Sequence, residues 1–148
     1  MAIKSFRGKI DQQGQETIHL HTNNGAMGYR IKRFELFQRQ PGISTVENLV
    51  QIWKIQQTSP IPAAGAGVVD FSDQTLLGAA FLNGEAAGEY YFNVIFDNEI
   101  FNQDIFVTHT NNQSADSVNY YIELEQVKLD LNENTVATLK DIRNIASQ

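Results

Sequence analysis

The chain of 148 residues contains no cysteine. Disulfides and thiolate metal sites are thereby excluded, and packing or association must supply its stability. Charged residues make up only 19%, below the usual share of about a quarter. No stretch approaches the roughly 18 consecutive apolar residues of a membrane span. The opening Met1–Arg7 lacks the apolar core of a signal peptide, so synthesis in a cytoplasm without export by the general route is expected. Basic residues are too few for broad nucleic-acid binding: the formal net charge is −6, and phosphate contacts need Lys and Arg to displace counterions. One basic cluster, Tyr29-Arg30-Ile31-Lys32-Arg33-Phe34, is interleaved with apolar residues and reads as a solvated strand face.

Catalytic signatures are missing as well. There is no GxSxG elbow and no serine directly beside a histidine. Gly25–Gly28 and Gly65–Gly67 lack the Lys-Ser/Thr ending of a phosphate loop. Glu123 and Glu125 share a strand face without an apolar pocket to separate their acidities, and are expected on the solvent side. The expectation is a non-enzyme without a cofactor.

What the chain does have is material for a core. Hydrophobic residues make up 42%, with nine Phe and five Tyr. Asn, Gln, Thr and Ser fill much of the remainder, giving a polar but weakly charged surface. Such a surface suits lasting contact with neighbours, since amides cost less to desolvate than charges; amide-rich loops of a β protein account for it equally.

Alternation dominates the pattern and marks half-buried strands. Strands are expected at 3–10, 16–22, 28–37, 46–57, 68–71, 90–96, 105–110 and 118–131. The run Leu76–Leu82 fits a buried strand or a helical turn. Phase slips predict β-bulges near Lys32-Arg33, where Tyr29 and Ile31 give way to Phe34 and Leu36, and near Glu125-Gln126. Ser59–Gly67 and Asn83–Gly88 read as loops, the first of them uncharged. Past Leu131 the pattern changes: Val136, Leu139, Ile142 and Ile145 recur every three residues, which suits a short, imperfectly amphipathic helix or arm. The predicted organisation is an all-β, jelly-roll-like sandwich of about eight strands over residues 1–131, followed by a C-terminal helical arm at 132–148.

Two groups of side chains bear on metals. His19 and His21 lie on one strand face, and with His109 would form a three-histidine zinc site. Asp97, Glu99 and Asp104 flank Ile100-Phe101 with oxygen ligands of the kind calcium uses, but without the spacing or glycine of an EF-hand loop. Solvated histidines and a polar corner between strands explain both, and no metal is expected. Tyr90, Tyr91 and Phe92 form the densest aromatic cluster, and Trp53 is the lone tryptophan. Exposed, these rings would make a sugar-stacking platform; the expectation is that they pack in the core.

Three stretches resemble small β-rich virion proteins of marine tailed bacteriophages: Ile3–Ile10, Val69–Leu77, and Ile122–Leu131 with Thr135–Lys140. The resemblance implies a structural part of the particle made in the host cytoplasm, such as a capsid decoration (cement) protein, with capsid or other virion subunits and further copies of itself as partners. A tail- or receptor-associated carbohydrate-binding module is the alternative. Such a protein would make contact through bare loops and extended ends, here Pro60 and Pro62 and the apolar positions Val136, Leu139, Ile142 and Ile145.

Overall fold

The computed structural model describes residues 2–20, 26–41, 46–58, 60–83, 90–112 and 116–129. These residues form eight strands: β1 (Ile3–Ile10), β2 (Gln15–Ile18), β3 (Met27–Gln38), β4 (Glu47–Trp53), β5 (Leu76–Asn83), β6 (Tyr90–Ile95), β7 (Ile105–Asn111) and β8 (Val118–Lys128). The expected arm at 132–148, with Val136, Leu139, Ile142 and Ile145, lies outside the described residues, as do most of the loop at 83–88 and His21.

Two antiparallel sheets face each other. One has the order β1-β8-β3, the other β2-β7-β4-β5-β6. Read as a folded ribbon, the hydrogen-bonded partners include β1 with β8, β2 with β7 and β4 with β5. That is the nested pairing of a jelly roll. The fourth pair, β3 with β6, is made by side chains: Tyr91 Oη and Asn93 Nδ2 both donate to the Phe34 carbonyl at 2.7 Å. β6 thus hydrogen-bonds along β5 while its inward side chains close the sandwich against β3.

Alternating apolar residues of both sheets meet in one core. Phe34, Ile122 and Leu124 from the small sheet and Val50, Ile52 and Val107 from the large one are wholly buried. The bulge at Lys32-Arg33 is present: Ile31 pairs with Leu124 and Arg33 with Glu123, so Lys32 is the extra residue. It moves the inward phase from Tyr29 and Ile31 to Phe34 and Leu36, keeping all four in the core.

Several expectations need correction. The bulge near Glu125-Gln126 does not exist; β8 runs in unbroken register with β3 from Met27↔Lys128 to Ile31↔Leu124. The apolar phase changes there because Leu129 is buried on the opposite face, near Gly28 and Ile100. Strand β2 stops at Ile18 rather than at 22, because the Asp104 carboxylate takes the Leu20 N–H at 2.8 Å. β4 ends at Trp53, where Lys54 N–H turns to the Thr75 carbonyl. Residues 68–71 form no strand: Asp70 Oδ1 accepts from both the Ser72 N–H (2.9 Å) and the Ser72 hydroxyl (2.6 Å), a local turn that competes with a ladder. Leu76–Leu82 is resolved in favour of the buried strand.

Candidate functional site

The outer face of the large sheet carries the least expected feature. Directly opposed residues of an antiparallel pair share a face, and the β5–β6 register sets Ala79 beside Val94, Phe81 beside Phe92 and Asn83 beside Tyr90. Ala80 and Leu82, of the other parity, are buried. Tyr90, Phe92 and Val94 therefore point away from the core, and are 55%, 64% and 41% exposed. The rings expected inside are outside. The alternation of Tyr90–Phe96 fixes which residues share a face but not which face is inward. The choice falls to Tyr91 and Asn93, whose polar groups find the Phe34 carbonyl on the free side of β3.

The uncharged loop extends this apolar ground. Residues 60–69 form a strap across the outer face, held by polar contacts: Gln13 Nε2 donates to the Ile61 carbonyl (2.8 Å), Thr110 Oγ1 to the Pro62 carbonyl (3.3 Å), Gly65 N–H to the Asn111 carbonyl (2.8 Å) and Gln51 Nε2 to the Val68 carbonyl (3.2 Å). At Gly67 an added Cβ would lie 3.0 Å from Leu49 Cδ2, so a bulkier residue there needs Leu49 to give way. Beyond it, Val68 and Phe71 are 73% and 53% exposed. Phe71 stands edge-on to Phe96, with ring centroids 5.5 Å apart. Val69 and Phe81 line one groove with Leu49 and Thr110. The strap and β6 thus form one apolar surface at an edge strand. The surface exposed by Tyr90, Phe92, Val94, Val68, Val69 and Phe71 is on the order of 600 Å². Pro60 and Pro62, expected at a contact, are exposed at the far end of the strap.

The described histidines of the zinc candidate, His19 and His109, are not brought together. His109 is fully buried and lies beside Gly14, whose carbonyl accepts its N–H, whereas His19 lies past the other end of β2, beside Asp104. Five residues of ladder, about 17 Å, separate those two ends. His19 Nδ1 is 3.3 Å from Asp104 Oδ2 at the surface. In the acidic corner, Glu99 is engaged by Lys54 Nζ at 3.0 Å and Asp104 by Leu20 and His19. Among the described residues no three His, Asp or Glu side chains converge on a common point.

Other polar residues are absorbed in the fold. His109 Nε2 is 2.9 Å from Asn48 Oδ1, while Asn48 Nδ2 donates to Gln38 and Val46. With the amide so oriented the histidine donates from Nε2. Burial pushes its pKa down, partly offset by the Asp11 and Ile10 carbonyls and by the charges of Asp116 and Asp11. Glu125 lies on the outer face, opposite Leu124, as expected, but its side chain is only 7% exposed, roofed by Arg30 at 3.2 Å and Lys32 at 3.4 Å. Arg30 first, then Lys32, holds its carboxyl below the usual carboxylate range. Arg33 is likewise taken up, by Glu35 and Glu123, so the basic cluster is neutralised across its own sheet.

No protein-family model matches the chain, and no curated protein does.

Proposed function

We propose that this chain is a structural subunit of a larger protein assembly, seated on its neighbour through the outer face of β6 and the strap. The observation that supports this reading is the exposed edge-strand surface of Tyr90, Phe92 and Val94. Long, flat apolar edges are normally blunted with charge, proline or a bulge, yet Tyr90–Phe96 contains none of these. Together with Val68, Val69 and Phe71 it reaches the lower end of what one partner gives to a standard interface, about 600–1,000 Å². The occupant that fits is another copy of the chain. An uncharged antiparallel edge is self-complementary about a two-fold axis, so one patch serves both partners. Formal charge of −6 per copy opposes association only where charges approach, and Tyr90–Phe96 holds none.

The bacteriophage resemblance gives this reading its specific form, a decoration protein that stabilises contacts between capsid subunits of a virion. Immunogold labelling with antibody to this chain is then expected to mark the heads of tailed particles. Label confined to free protein, or to tails, contradicts the capsid form.

A further inference from the structure

The opposite face of the molecule carries a second surface of different chemistry. On the outer side of the small sheet, the registers of β1 and β3 against β8 build two adjacent rungs. Lys9, Asn119 and Phe37 form one, Arg7, Tyr121 and Glu35 the other. The inward neighbours Leu36, Tyr120 and Ile122 are buried, so these six side chains face out. They line a shallow, open groove of about 560 Å³. Phe37 is 66% exposed on one wall. A phenyl ring held on a strand and left in water offers a flat apolar surface at little entropic cost. Tyr121 is fixed beneath it by its hydroxyl, which donates to Glu123 Oε1 at 2.7 Å, and by Arg33 over its ring.

Charge distinguishes the two walls. The acids of this face, Glu35, Glu123 and Glu125, each lie against Arg33, Arg30 or Lys32. Arg7 and Lys9, on the β1 wall, form no ion pair among the described residues. On a chain with a formal net charge of −6, a groove with two uncompensated cations opposite an exposed ring is a local reversal of sign.

From this juxtaposition we infer that the groove binds a carboxylated sugar chain, an acidic polysaccharide of the uronate type. The apolar C–H face of a pyranose lies on Phe37, its carboxylate meets Arg7 and Lys9, and Glu35 and Asn119 are placed to hydrogen-bond hydroxyls. Single-stranded nucleic acid also combines stacking with cations, but needs a positive groove tracking the backbone, and here the wall opposite the cations carries Glu35. The site lies on the other sheet from the β6 surface and does not depend on it.

The test is titration calorimetry of the full chain with hexasaccharides of galacturonate, mannuronate and hyaluronan, with methyl-esterified oligogalacturonate as the uncharged control. At least one acidic probe is expected to bind, more weakly as salt is raised. Arg7→Ala/Lys9→Ala and Phe37→Ala are each expected to weaken it about tenfold or more, with circular dichroism and thermal midpoint unchanged. The esterified control should bind about tenfold more weakly than its parent if the parent binds. Absence of binding by all three acidic probes at millimolar concentration overturns the inference. So does binding that neither variant weakens, or an oligodeoxynucleotide or polyglutamate that binds in the groove as tightly as the best sugar.

Discussion

At the residue scale, His109 is the most consequential polar group. It is wholly enclosed, with Nε2 on Asn48 and Nδ1 without a hydrogen-bond partner. Because burial lowers its folded pKa, the unfolded chain takes up this proton first as pH falls below about 6.5. Stability is therefore full above that value and drops as pH falls through the window toward the folded pKa, by up to about 1.4 kcal/mol per pH unit. Urea midpoints measured between pH 7.5 and 5 are expected to fall, and His109→Gln, which keeps a donor for Asn48, should flatten the slope across that range. Glu125 and Asp70, whose carboxyls are held low by Arg30 and Ser72, act in a separate, more acid window: their contribution is present above the ordinary carboxylate range and lost below it. Gly8 is a second test. A Cβ there would lie 2.9 Å from Tyr120 Oη, and that ring is tethered by its hydroxyl to Glu16 at 2.6 Å. Gly8→Ala should cost about 1–3 kcal/mol by overpacking, read as a lower urea midpoint at unchanged m-value. Neither role is legible in the sequence. His109 reads there as a strand histidine, and nothing before the register of β1 on β8 places Gly8 over Tyr120.

At the element scale, the patterns in Ile3–Ile10, Tyr29–Leu36 and Tyr120–Leu124 predict strands, and in the last two also the inward faces, that the structure bears out. The slip at Lys32 is a true bulge because both phases on β3 enter the same core. The similar slip after Leu124 is not, because Leu129 goes to another face. A phase change in sequence marks a change of face or an inserted residue, and only pairing tells which. β6 shows the same ambiguity at greater cost. Its period-2 pattern is plain, but an edge strand whose inward side chains are Tyr91 and Asn93 inverts the rule that the apolar side goes in. The consequence can be measured: Phe92→Glu should change unfolding free energy by no more than about 0.5 kcal/mol, whereas Phe34→Ala, in the core, should cost about 3–5 kcal/mol. Equal losses would mean that Phe92 is not the exposed residue described.

For the whole molecule, strand number and the all-β class follow from local pattern, and the nested order does not. Which strand lies beside which depends on contacts far apart in sequence, such as Tyr120 with Glu16 and Asn93 with Phe34. The jelly-roll ribbon leaves the outer face of β6 open on one sheet and the Phe37 groove open on the other. The proposed account uses the first to hold a neighbour and the second to face outward. Its central claim is that the β6 surface joins copies of the chain. Sedimentation equilibrium of the full chain from about 5 to 100 µM, beside Phe92→Glu, tests this most directly. The account predicts a dimer or larger species for the wild type, with the variant monomeric and equally folded; a wild type that stays monomeric throughout, or a variant that associates as well as it does, contradicts it.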